Sequence, residues 1–132
     1  MIQCVLCSSG QENIQHLFFQ CPYSAYIWTL CRLKLGIPCS IETLQDEANL
    51  IQEKFKKKYK SSILAKLTLA AAVWHIWKER NQRNFQLQEN HKIMVFRRLY
   101  EDINELGRTC TWKSDKHGDK VTVLSNWGVS AI

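Results

Sequence analysis

The stretch CVLCSSGQENIQHLFFQCP, which runs from Cys4 to Pro22, decides how the N-terminal part of this chain folds. It contains the pattern C-x2-C-x8-H-x4-C, formed by Cys4, Cys7, His16 and Cys21. Zinc takes four thiolate or imidazole ligands in a closed tetrahedral site, and Cys3His is one of its usual structural sets. We therefore expect one structural Zn2+ held by these four side chains. The alternatives are buried free thiols with a core histidine, or disulfides.

The spacing of the last two ligands predicts a break in the helix between them. On an ideal α-helix, His16 and Cys21 lie about 140° apart around the axis, so an unbroken helix cannot aim both at one ion. Pro22 suits the first position of a new helix, because proline has no N–H to leave unpaired. The helix that begins near Asn13 is thus expected to stop before Cys21. The positive end of the next helix dipole then favours the Cys21 thiolate.

The length and composition indicate one globular domain. The chain has 132 residues with five glycines and two prolines, enough for a single core and too few breakers for disorder. Its longest apolar stretch, residues 67–77, is shorter than the roughly 18 to 20 residues that cross a bilayer. The first residues lack the basic and apolar regions of a signal peptide. We expect an intracellular protein, nuclear or cytoplasmic, whose clustered cysteines indicate metal binding in a reducing compartment.

The rest of the sequence favours helices. Gly36 and Pro38 mark a boundary, and from Ser40 to about Cys110 strong helix formers follow with hardly a breaker. We expect an all-α fold. Residues 1–36 form the zinc-binding region with two short helices, residues 40–112 form a bundle of about three longer helices, and residues 113–132 form a tail with a short extended segment.

The positive charge is concentrated in the middle of the chain. The net charge is +6, with −2 in residues 1–51, +9 in residues 52–100 and −1 in residues 101–132. The densest run is KFKKKYK, residues 54–60, with five lysines, Phe55 and Tyr59. Such a run can neutralise phosphates and stack its rings on unpaired bases. It can equally be the solvated face of a helix that buries Phe55 and Tyr59.

The segment IWKERNQRNF, residues 76–85, lies on a predicted long helix. Apolar residues on this helix are spaced by three and four, which indicates one buried face: Ile63, Leu67, Ala70, Trp74 and Trp77. Asn81 continues the pattern toward Phe85 and is expected to need a buried partner. Arg80 and Arg83 flank the stripe, within reach of phosphate or of Glu79. The aromatic stripe is interpreted as core before it is interpreted as a binding surface.

Two motifs give the chain a family resemblance. The strings CVLC and HLFFQCPYS, followed by Ile27 and Trp28, resemble the zinc-binding region that follows the reverse transcriptase domain in plant LINE-type (non-LTR) retroelement polyproteins. The string IWKERNQRNF resembles a second segment of the same proteins and of short plant genes derived from them. The resemblance implies zinc ligation by Cys4, Cys7, His16 and Cys21. It also implies a role near the element RNA or its target DNA.

The chain departs from that family in two respects. The family region usually begins with a helical, tryptophan-containing stretch before the first cysteine, and here three residues precede it. The paired-aspartate motif of the polymerase and any endonuclease or RNase H constellation are also missing from the sequence. The resemblance therefore implies a fragment or truncated derivative that is not an enzyme.

These observations lead to one leading hypothesis and one alternative. The chain is expected to be a noncatalytic nucleic-acid-binding module with RNA or DNA as its partner and no membrane contact. Its candidate contacts are Lys54, Lys56, Lys57, Lys58, Lys60, Arg80 and Arg83. The alternative is a protein-interaction or vestigial helical domain. Such a domain would self-associate or bind a protein through the face left by the missing upstream helix.

Overall fold

The computed structural model describes residues 2–37, 44–116 and 118–130. A π-helical turn, His16–Gln20, precedes five helices: α1 (Pro22–Leu35), α2 (Leu44–Lys54), α3 (Lys60–Phe85), α4 (Lys92–Thr109) and α5 (Asp119–Asn126). Within the described residues, extended pairing is limited to two isolated bridges, Gln3 with Gln11 and Tyr59 with Lys113. The predicted all-α fold is confirmed. No described helix combines the length and the apolar character needed to span a membrane.

Helix α1 begins and ends where the sequence predicts. Pro22 occupies its first turn, and Gly36 follows it in the left-handed conformation with φ of 69°. Ile37 donates its N–H to the carbonyl of Arg32 at 2.9 Å, which closes the helix end. Ile27, Cys31 and Leu35 are buried along one face of α1. Cys31 is therefore a core residue, and burial raises the pKa of its thiol far above the ordinary range.

Helices α3 and α4 form an antiparallel hairpin at the centre of the molecule. α4 buries Val95, Leu99 and Ile103 against α3, and it continues past Gly107 to Thr109. A Cβ atom at Gly107 would lie 2.4 Å from Cγ2 of Val129. The glycine thus belongs inside the helix because the C-terminal segment passes too close for any larger residue.

The sequence-based prediction of which face of α3 is buried is wrong. Trp74 is 57% exposed, Trp77 43% and Phe85 78%, and Asn81 is half-buried. The buried face lies on the other side of the helix and contains polar residues whose groups find partners. Thr68 Oγ1 donates to the carbonyl of Leu64 at 2.6 Å, and Nε2 of His75 lies 2.7 Å from Oδ2 of Asp102. Hydrogen bonding within the fold thus allows a less apolar face to form the core.

The C-terminal tail forms a helix, so the predicted extended segment is wrong. Val123 and Leu124 of α5 and Trp127 after it are buried, and the Trp127 ring stacks on Tyr100 at 5.7 Å. Asn126 Nδ2 donates to the carbonyl of Lys34 at 3.1 Å, which connects α5 to α1. This segment is helical because it packs against α1 and α3, and the local sequence pattern does not predict it. Ser40, where the run of helix formers is predicted to begin, lies outside the described residues.

Candidate functional site

The first two ligands lie on one tight turn. Ser8 donates its N–H to the carbonyl of Cys4 at 2.8 Å, and Cys4 donates its own to the carbonyl of Gly10 at 2.7 Å. These bonds fold residues 4–10 back on themselves, so the side chains of Cys4 and Cys7 share one side of the turn.

The last two ligands are brought together by a π-helical turn. The N–H of Cys21 donates to the carbonyl of His16 at 2.6 Å, a bond between residues five apart. The wider turn therefore places His16 and Cys21 on the same side, which an α-helical turn cannot do. Asn13 Oδ1 accepts from the N–H of His16 at 2.8 Å at the start of the turn. Cys21 itself is extended, with ψ of 129°, so the predicted break before α1 is confirmed and its π-helical form is new.

The four ligand atoms form a site of the size that zinc requires. All lie within 4.8 Å of one another. The sulfurs of Cys4 and Cys21 are 3.8 Å apart, and Cys7 Sγ lies 3.2 Å from His16 Nε2. Two sulfurs bound at 2.3 Å to a tetrahedral ion are separated by about 3.8 Å. The donor set and its spacing thus fit a closed Cys3His zinc site.

The thiols of Cys7 and Cys21 differ both in burial and in pKa. Burial is the largest influence on Cys7 and raises its pKa, but hydrogen bonds from Ser9 and His16 outweigh it and lower the pKa to about 6. At Cys21, burial raises the pKa to about 12. A coordinated cation favours the thiolate form at both positions. The zinc site therefore contains one thiol that ionises readily, that of Cys7, and one that needs the charge of the metal in order to ionise, that of Cys21.

Gly10 makes room for the histidine ligand. A Cβ atom at this position would lie 2.6 Å from Cε1 and 3.0 Å from Nε2 of His16. The imidazole thus lies directly over the glycine. The sequence pattern of ligands does not reveal this contact, because it depends on how the turn folds onto the ring.

Residues 4–21, which we call the zinc knuckle, contain the four ligands, and Arg83 holds their first turn against α3. Its guanidinium donates to Glu79 Oε2 at 2.8 Å, to the carbonyl of Asn90 at 3.1 Å, and to the carbonyls of Val5 and Leu6, each at 3.4 Å. Glu79 is buried and also accepts from the N–H of Asn90 at 2.8 Å. Arg83 therefore connects the segment between Cys4 and Cys7 to α3 and to the loop before α4.

Arg80, which lies in the same IWKERNQRNF segment as Arg83, holds the other side of the knuckle. Arg80 donates to both carboxylate oxygens of Glu12, at 2.6 and 3.1 Å, and to Asn81 Oδ1 at 2.9 Å. This guanidinium lowers the pKa of the Glu12 carboxyl. The charges of Arg80 and Arg83 are thus paired inside the molecule.

The basic run forms one wall of a cleft at the opposite end of α3. The twenty residues between Lys60 and Arg80 span about 30 Å of helix. The cleft has a volume of about 600 Å3. Its lining contains five lysines, namely Lys54, Lys56, Lys57, Lys116 and Lys120, together with Glu53, Phe55, Tyr59, Ser62 and Asp115.

A second basic segment contributes to this cleft. Lys60 donates its N–H to the carbonyl of Lys113 at 2.8 Å, and Tyr59 and Lys113 form a bridge. This contact places Lys116 and Lys120 beside the 54–60 run. Phe55 is buried, so it does not stack on bases, and Lys58 is exposed. Sequence reasoning missed the second segment because its lysines alternate with acidic residues, and residues 101–132 carry a net charge of −1.

A closed Cys3His site on a short knuckle defines a structural zinc-binding module. Residues 1–28 match the family model described as zinc-binding in reverse transcriptase. This chain therefore contains a reverse-transcriptase-associated zinc-binding region with Zn2+ as its cofactor, and Cys4, Cys7, His16 and Cys21 form the site that could hold the ion. Searches of curated proteins and of solved structures give no match.

Proposed function

We propose that this chain is a noncatalytic nucleic-acid-binding module that descends from a plant LINE-type (non-LTR) retroelement reverse transcriptase. The family match over residues 1–28 and the resemblance of IWKERNQRNF support this origin. The observation that carries the function is the lysine-lined cleft between α2, α3 and α5. Four ligands leave no open position on the zinc, so the ion orders the knuckle.

The electrostatics of the cleft favour an anion. Five lysines face two carboxylates in its lining, those of Glu53 and Asp115. Asp115 accepts from the N–H and the hydroxyl of Ser61, at 3.0 and 2.7 Å, in the first turn of α3. Its charge is therefore offset by the positive end of the α3 dipole. A positive field of this kind attracts the phosphates of a nucleic acid.

The lysines of the cleft divide into two groups. Lys120 Nζ donates to the carbonyl of Lys54 at 2.8 Å, and Lys54 Nζ donates to the carbonyl of Gly36 at 2.5 Å, so these two hold the walls together. Lys56, Lys57 and Lys116 are exposed and are the phosphate contacts that we propose. Arg80 and Arg83 are left out of the interface because internal carboxylates pair them. Contacts of this kind position a strand without reading its bases.

The salt dependence of binding tests this proposal. The variant K56Q/K57Q/K116Q removes three charges from the cleft, and K66Q/K78Q/R97Q removes three exposed charges elsewhere. Binding of a random single-stranded RNA and DNA is measured by fluorescence anisotropy between about 50 and 300 mM salt. Each phosphate contact contributes about 0.7 to the slope of log affinity against log salt, so the cleft variant should lose about 1 to 2.

The control variant separates the cleft from the overall charge. It should keep the wild-type slope within a few tenths, and all three proteins should retain one zinc per chain. Equal slopes for the cleft and control variants would contradict the proposal, and so would the absence of binding at the lowest salt. Either result would favour the protein-interaction alternative.

A further inference from the structure

The exposed side of α3 carries a seam of apolar residues with coiled-coil spacing. Positions 63, 67, 70, 74 and 77 are separated by 4, 3, 4 and 3 residues, which is the repeat of an a/d seam. Together with Leu106 of α4 they form what we call the α3–α4 face: Ile63, Leu67, Ala70, Trp74, Trp77 and Leu106. Leu106 is 41% exposed, in addition to the exposed tryptophans.

This face is a groove between the two helices rather than a scatter of apolar residues. One hollow of about 490 Å3 lies between Trp74 and Leu106, and a second of about 250 Å3 continues it toward Trp112. Leu67, Leu106 and Thr109 line both hollows. Soluble monomers rarely expose a continuous apolar surface of this kind, and it is typical of an interaction site.

The charges beside the groove suit a second copy of the chain. The α4 wall contains Asp102 and Glu105, whereas exposed Lys66 and Lys78 lie along α3. Under a two-fold axis parallel to the helices, α3 of one copy lies on α4 of the other, and Lys66 then meets the Glu105 of the second copy. The acidic wall repels phosphates, so a nucleic acid is a poorer occupant than a second copy.

The size of the face is that of a small interface. From Ile63 to Trp77 the seam extends about 21 Å along α3, and two helix diameters give a width of about 20 Å. This corresponds to an interface below the standard of about 800 Å2 per partner. A dimer in the micromolar range is expected.

We propose that two copies of this chain associate through their α3–α4 faces into an intermolecular four-helix bundle. Each α3–α4 hairpin supplies two helices, with α3 of one copy antiparallel to α4 of the other. The proposal does not depend on nucleic-acid binding, because the α3–α4 face and the lysine cleft use different residues.

Sedimentation equilibrium of the zinc-loaded chain between about 5 and 200 µM tests the proposal. The mass should rise from 15.5 kDa toward twice that value with increasing concentration. Trp74→Lys should weaken association at least tenfold while zinc content and the helical circular dichroism stay unchanged, because Trp74 is exposed. Leu87→Lys is the matched control, since Leu87 is 91% exposed outside the face, and it should associate like the wild type.

A charge exchange tests the arrangement of the helices. Glu105→Lys should weaken association, and combining it with Lys66→Glu should restore it. A wild-type chain that stays monomeric at 200 µM would overturn the proposal, as would a dimer that Trp74→Lys leaves intact. If Trp74→Lys instead reduces oligonucleotide binding by a monomeric chain, the face is a nucleic-acid surface and the proposal is wrong.

Discussion

At the scale of single residues, the zinc site depends on a glycine as much as on its ligands. The His16 imidazole lies against the Cα of Gly10, and the carbonyl of Gly10 accepts from the N–H of Cys4 at 2.7 Å. One small residue thus sets both the turn that presents the first cysteine and the position of the histidine. Residues that orient ligands in this way commonly matter for metal affinity nearly as much as the ligands.

Substitution of Gly10 should weaken zinc binding without removing a ligand. In Gly10→Ala the new methyl group overlaps the His16 ring, so the ring must leave its position in the ligand set. We expect the zinc affinity, measured by competition with a chromophoric chelator, to fall about 10- to 100-fold. Ile14→Ala is the control, because Ile14 is 69% exposed in the same segment. Equal affinities for the two variants would show that the ring has room to move.

At the scale of elements, the last turns of α3 act as the support of the zinc knuckle. Arg80 binds Glu12 on one side of the knuckle, and Arg83 binds the carbonyls of Val5 and Leu6 on the other. The Arg83 guanidinium also lies 4.7 Å from the ring centre of Tyr23, at the start of α1. Arg80 and Arg83 of the IWKERNQRNF segment thus join three elements: the knuckle, α1 and α3.

Loss of Arg83 should destabilise the fold. In Arg83→Ala the buried carboxylate of Glu79 loses its charged partner, at a cost of about 3 kcal/mol in the free energy of unfolding. Urea denaturation followed by circular dichroism measures this change. The control Arg97→Ala removes an exposed charge and should stay within about 0.5 kcal/mol of the wild type. If both variants unfold at the same urea concentration, the Arg83 contacts do not support the knuckle.

At the scale of the whole molecule, one buried cluster extends from the zinc knuckle to the C-terminal segment. Cys4, Leu6 and Leu17 belong to the same cluster as Leu99 of α4 and Val129. Order in the knuckle is therefore linked to packing throughout the chain, while the α3–α4 hairpin has contacts of its own.

Removal of zinc should disorder the knuckle first. Chelation, or the substitution Cys7→Ser, removes the ion that holds the two ligand-bearing turns together, and metal binding in short segments of this kind is coupled to folding. Hydrogen exchange read by mass spectrometry should show protection lost in residues 2–21 and kept in residues 95–107. The untreated chain should hold one zinc. Unchanged exchange in residues 2–21 after chelation would contradict the assigned site.

The features that the sequence determined are those that depend on local spacing. The ligand set of the zinc site follows from C-x2-C-x8-H-x4-C, and the bounds of α1 follow from Pro22 and Gly36, because neighbouring residues fix both. The all-α class follows from a long run of helix formers, for the same reason.

The tertiary structure alone decided which face of α3 is buried and where its charges lie. Arg80 pairs with Glu12, 68 positions away, and Ser61 with Asp115, 54 positions away. No local sequence pattern predicts either pair. The lysine cleft likewise exists because Lys113, Lys116 and Lys120 lie beside the 54–60 run. Such features depend on contacts between distant segments, and these contacts can outweigh the local apolar pattern of a helix.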